Sequence, residues 1–168
     1  MSFREIVIEK QRIEYEGLFD AHELHHIIDY YFREKGYDKR ETRNMENTTP
    51  EGKYVEIEIT PWKKTTDYHR NIIKMKIYMS KMRDVEVEKD NTKIKLQNGR
   101  VQFVIDAFLE YDYDDRWENK PIHQFIRTLF DKYFYKPYTD KYKGVLLEDT
   151  RLIVDMIKRY FNLFEIYA

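Results

Sequence analysis

Residues 68–113 read YHRNIIKMKIYMSKMRDVEVEKDNTKIKLQNGRVQFVIDAFLEYDY. Two dipeptides in this stretch carry turn chemistry. A type I′ hairpin turn needs positive φ at both central residues, which Asp90-Asn91 and, above all, Asn98-Gly99 tolerate. A two-residue loop at Asp90-Asn91 sets Val87 opposite Ile94 and Val85 opposite Leu96. The same register sets Glu88 against Lys93 and Glu86 against Lys95, so opposite charges meet on the other face. A two-residue loop at Asn98-Gly99 sets Leu96 opposite Val101 and Ile94 opposite Phe103. The expectation is a meander of three long antiparallel strands. Ile73, Met75, Ile77 and Met79 alternate with Lys74 and Lys76, and Val101, Phe103, Ile105, Ala107 and Leu109 mark the core face farther on. The run Ile72–Val87 is long for one strand, which predicts a bend near Ser80–Asp84 and a strongly curved sheet.

Upstream, Arg4–Tyr15 reads as a strand with Ile6 and Ile8 on one side and Ile13 and Tyr15 on the other, which implies either a bulge or a change of covering midway, and Gly17 ends it. Asp20 followed by Glu23 opens a helix over Ala21–Lys35, which Gly36 stops. Its apolar stripe is Leu24, Ile27, Ile28, Tyr31 and Phe32. The polar run Asp38–Asn47 is an edge strand or an extended loop, and Tyr54–Lys64 is a strand with Pro61 near its end. Downstream, Ile122–Phe134 has uninterrupted helical spacing, Tyr135–Lys143 reads as a basic, Tyr-rich linker, and Leu147–Phe164 is a final helix. The order predicts an α+β fold, residues 1–168 as one domain, with a curved antiparallel sheet and helices packed on one of its faces.

The formal net charge is −1, so no global field draws the chain to free duplex DNA or an anionic membrane. There is no cysteine, which excludes disulfides and thiolate chemistry and suits a reducing cytoplasm. No signal peptide or membrane-spanning run is expected. Abundant Lys, Glu and Ile with scarce Gln suggest a thermophile. The 15 Tyr and 10 Phe exceed ordinary use, and Tyr is favoured where an apolar body and a polar tip are both needed, as at interfaces. A homodimer is one expectation from that excess.

Three constellations are candidates for chemistry. His22-Glu23-Leu24-His25-His26 fits H-E-x-x-H, in which His at i and i+4 chelate zinc and the Glu activates its water. On these five residues the chain resembles the zincin metalloproteases, which implies His22 and His26 as metal ligands and Glu23 as general base. The chain departs from that pattern at Asp20, where an uncharged residue is usual, and no motif surrounds Glu41 or Glu46 as a third ligand. The residues by themselves read as a solvated helix face with no cofactor and no catalytic group. Glu110, Asp112, Asp114, Asp115 and Glu118 form an acidic cluster without calcium-loop spacing. Trp62, Lys63, Lys64, Tyr68, His69 and Arg70, with Tyr135, Lys136 and Tyr138, combine cations with rings that stack on bases, and are the candidate partner-binding residues. No P-loop, dinucleotide fingerprint or serine-nucleophile motif is present.

A strand followed by a helix, then a long-stranded meander, then the C-terminal helix Leu147–Phe164 resembles the START-type helix-grip proteins. The resemblance implies a sheet wrapped around the last helix, and a hydrophobic small molecule carried between them. The functional expectation is a non-enzymatic intracellular binding or assembly protein, a homodimer that engages a protein or ribonucleoprotein partner, a ribosomal one among the candidates. A START-like carrier is the alternative, and a zinc-dependent hydrolase the third reading.

Overall fold

The computed structural model describes residues 3–111 and 136–165. The helix expected at Ile122–Phe134, the carboxylates Asp112, Asp114, Asp115 and Glu118, and Tyr135 lie outside the described residues, as do the side chains of Lys136 and Tyr138. The elements in order are β1 (Phe3–Phe19), α1 (Ala21–Glu34), β2 (Glu41–Thr49), β3 (Gly52–Ile59), β4 (Trp62–Lys64), β5 (His69–Lys89), β6 (Thr92–Tyr111) and α2 (Lys136–Glu165). The strands form an antiparallel sheet in the order β1-β6-β5-β3-β2, with β4 also paired to β5. Among the described residues no helix is long and apolar enough to cross a membrane.

The Asp90-Asn91 turn forms as expected, with φ of 50° and 61° at its two residues. Val87 faces Ile94, Val85 faces Leu96, Glu88 faces Lys93 and Glu86 faces Lys95. The turn expected at Asn98-Gly99 does not form. Neither residue has positive φ, and β6 runs straight through them as one strand of 20 residues beside the 21 of β5. The meander therefore has two strands rather than three, and the second neighbour of β6 is β1, which pairs Tyr15 with Val101 and Ile13 with Phe103.

Gly99 serves a different purpose. β5 carries the predicted bend as a bulge between Ser80 and Arg83, with Lys81 at φ 55°. A Cβ on Gly99 would sit 2.9 Å from the Ser80 carbonyl oxygen and 3.0 Å from the Met82 Cα. On the far side of the bulge, a Cβ on Gly52 would meet the Lys81 carbonyl carbon and the Met82 oxygen, both at 2.8 Å. Gly17 of β1 stands opposite Gly99. Small residues thus line a crease across four neighbouring strands, where the sheet bends and backbones crowd. Gly99→Val should cost about 2 kcal/mol through forced backbone displacement, read as a lower thermal midpoint. An unchanged midpoint would show that the crease has slack.

Other boundaries shift for local reasons. β1 continues through Gly17 to Phe19, whose ring is fully buried. Its predicted bulge is present, with register shifts between Ile6 and Ile8 and between Ile8 and Gln11. The single strand expected over Tyr54–Lys64 breaks at Thr60-Pro61 into β3 and β4, because proline cannot donate to the ladder. The polar run after α1 is an edge strand, β2. Tyr135–Lys143 is not a linker beyond its first residue: α2 starts at Lys136, with Pro137 in the first turn, where no intrahelical N–H is needed. Tertiary contacts hold this extension. Lys143 binds Glu5 of β1 at 2.7 Å, and Leu146 is fully buried.

Among the described residues, α1 and α2 lie on the face that carries Ile73, Met75, Ile77, Val101, Phe103 and Ile105. From α1 come Leu24, Ile28, Tyr31 and Phe32, as the spacing predicts, and from α2 come Ile153, Ile157, Tyr160 and Phe161. The other face of the sheet carries ion pairs among residues that are mostly half-buried on β5 and β6. Glu58 there holds Lys74 at 3.4 Å, and Glu110 is clasped by Arg4 and Arg70.

Candidate functional site

β4 and the start of β5 make a tight hairpin that brings six of the candidate partner-binding residues together. Trp62 faces Ile72, Lys63 faces Asn71 and Lys64 faces Arg70. Thr66 shapes the turn, its hydroxyl accepting from the N–H groups of Tyr68 at 3.2 Å and His69 at 2.9 Å. The fold then takes up most of the polar tips. The Arg70 guanidinium lies 5.3 Å from the Trp62 ring centroid and donates to the Glu110 carboxylate. Lys63 donates to the Lys35 carbonyl at 2.8 Å and sits over the Tyr37 ring. Lys64 pairs with Asp67 at 2.9 Å. His69 is buried against the rings of Tyr68, Tyr111 and Tyr142. Burial pushes its pKa down, so the imidazole is neutral at neutral pH and offers no charge to a phosphate.

On α1, the Asp20 carboxylate caps the helix, accepting from the N–H groups of His22 at 2.9 Å and Glu23 at 3.0 Å. His22, Glu23 and His26 are exposed. His25, one step round the helix, faces Asp29 at 3.5 Å. Among the described residues no three His, Asp or Glu side chains converge to hold a metal ion. Glu46, a sequence candidate for a third ligand, is bound to Lys53 at 2.6 Å. It does share an open cleft with His22 and His25, floored by Val55, Ile57, Met79 and Met82.

Among the described residues, aromatic rings pack the interior between the sheet and α2. Phe161 stacks on Tyr15 with centroids 4.3 Å apart and planes 13° apart. It also meets Phe19, Phe103 and Tyr160 edge-on. Tyr160 donates to the Asp20 carbonyl at 2.7 Å, joining α2 to the start of α1. Farther along, Tyr37 donates to the Asp149 carboxylate at 2.9 Å, and Tyr31 donates to the Asp149 carbonyl at 2.6 Å. Burial, reinforced by the Asp149 charge, drives the pKa of Tyr37 far upward, so it stays a donor. Asn71 lies fully buried beside this cluster. Its amide approaches the Tyr37 hydroxyl but completes no hydrogen bond of good geometry. An amide left without partners in a closed interior costs about 1–3 kcal/mol. The near-isosteric Asn71→Leu should therefore raise the thermal midpoint. A fall instead would mean that the amide has a partner such as a buried water.

One open feature was not anticipated from the sequence. Beyond the crease, the hairpin tip faces the last turns of α2 and the first turns of α1 across a groove of about 700 Å³. Val87, Ile94 and Leu96 form one wall, Met156, Leu163 and Phe164 the other, with Ile27 between them. Leu163 is 60% exposed. The rim carries Asp20, Glu23 and Glu88 against Lys89, Lys95 and Arg159. The apolar face of the hairpin tip is legible in the sequence, since Val85, Val87, Ile94 and Leu96 alternate with charges. What stands opposite that face is a tertiary fact.

Compared with known proteins, the chain matches no family model, no curated protein and no solved structure. Function is therefore read from geometry alone.

Proposed function

We propose that the chain is a non-enzymatic intracellular binding or assembly protein, acting as a homodimer, that seats an apolar segment of a protein partner in the groove between the β5–β6 tip and α2. The observation that carries this reading is the groove itself, open among the described residues, with a large leucine facing water at its mouth. The rim favours protein over nucleic acid. Three carboxylates stand with three cations, which complements a segment of mixed charge and gives a run of phosphates no net positive field. The basic–aromatic hairpin supports a ribonucleoprotein contact less well, because its cations are already engaged within the chain. The START-like carrier reading needs space between sheet and helix, and the rings around Phe161 occupy it among the described residues.

The test is a photo-crosslinking residue at Leu163, used in native extract, with the adduct mapped to its peptide. The expected result is one stoichiometric protein, joined through an apolar stretch flanked by both charges, and lost in Val87→Glu but kept in Trp62→Ala. Adducts that persist in Val87→Glu and vanish in Trp62→Ala would move the partner surface to the basic–aromatic hairpin.

A further inference from the structure

The two edges of the sheet differ. β1, at one edge, is interrupted twice by bulges, and Lys10 sits there at φ 48°. Bulges of that kind twist an edge away from any incoming strand. β2, at the other edge, reads ETRNMENTT with no proline and no lysine, and its register departs from regularity only between Glu41 and Arg43. Eight of its nine residues are exposed and Met45 is half-buried. One edge is blunted and the other offers a regular ladder.

The side chains of β2 choose what pairs with it. A two-fold axis at Met45 sets Met45 against its own copy, Asn44 against Glu46, Arg43 against Asn47 and Thr42 against Thr48. Every pair is polar-compatible or apolar, and Thr–Thr is a favourable cross-strand pair. An axis at Arg43 or at Glu46 would instead place like charges face to face. Resting on the homodimer reading above, we infer that β2 is the dimerisation edge, through which two copies join their sheets antiparallel about a two-fold axis at Met45. A strand pairing of this length buries well below the roughly 1,600 Å² of a standard interface, so the dimer is reversible and concentration-dependent.

The absence of native cysteine makes the test clean. Residues facing each other on the axis have Cα atoms about 4.5–5.5 Å apart, within the span of about 4.4–6.8 Å that a disulfide bridges. Met45→Cys should therefore cross-link to a covalent dimer under mild oxidation, while Thr49→Cys and Thr92→Cys should not. Met45→Lys places two ammonium groups across the axis and should sediment as a monomer at every concentration, with the thermal midpoint of the dilute, monomeric parent, where the parent dimerises with concentration. A parent that stays monomeric at every concentration overturns this inference and the homodimer part of the reading it rests on. A dimer that survives Met45→Lys, or fails to cross-link through Met45→Cys, overturns the edge alone and leaves a homodimer built on another surface. Leu163 cross-linking repeated in Met45→Lys shows separately whether the groove works without the dimer.

Discussion

Phe161→Ala is expected to lower stability by about 4 kcal/mol, the range for a fully buried aromatic truncated in a packed core. The ring is in contact with four others, one stacked at 4.3 Å and three edge-on within 6.5 Å, drawn from β1, β6 and α2 itself. Such pairs add roughly 0.5–1.5 kcal/mol each beyond area burial. The neighbours cannot collapse into the hole, because Phe19 and Phe103 are fully buried on a rigid sheet and Tyr160 is tied to Asp20. Chemical denaturation followed by far-ultraviolet circular dichroism measures the loss. The same variant probes the interior as a binding site. If the space between sheet and α2 is only packing, Phe161→Ala destabilises without gaining a ligand. A small apolar ligand that restores the midpoint of the variant alone shows that the aromatic ring stands where a carried molecule would sit in a helix-grip protein.

Glu110→Gln is expected to cost about 3 kcal/mol at neutral pH. The carboxylate is 2% exposed on the outer sheet face, accepting from Arg4 Nε at 3.0 Å and Arg70 Nε at 2.6 Å. Burial alone would raise its pKa, but the two guanidinium groups outweigh burial and hold it below the ordinary value of 4.5. The folded state therefore binds this proton less readily than the unfolded chain. The stabilisation is complete above the unfolded value and is lost as pH falls through the folded one. Glu110→Gln should flatten the acid limb of the stability profile while lowering the neutral plateau, and thermal melts across the acid range read both. An acid limb identical to the parent would assign the acid sensitivity to other carboxylates. Because Arg70 also lies over Trp62, the variant should free the basic–aromatic hairpin, and a gain of nucleic-acid binding would show that Glu110 masks it.

These two sites show where a linear sequence stops being informative. The sequence by itself determined the local devices. Asp90-Asn91 set the hairpin and its charge pairs in the observed register, because positive φ is cheap at Asx residues and alternation leaves one face to the core. Asp20 and the stripe Leu24–Phe32 set the capped helix. The interval Ser80–Asp84 announced a bend by sheer strand length. Only the tertiary structure decided why Asn98-Gly99 is not a turn. A glycine that supplies positive φ and a glycine that makes room for a bulge on the next strand are spelled alike, and the second need arises from Ser80 and Met82, far away in the chain. The same limit hid the length of α2, which is held by Leu146 and the Lys143–Glu5 pair, and the groove, whose walls come from three elements. It also turned candidate contact residues inward: His69 and Arg70 look available on a strand until Tyr111 and Glu110 of the neighbouring strand claim them. Local sequence dictates which backbone conformations are cheap; which surfaces meet is settled by long-range burial, and that is a property of the whole chain.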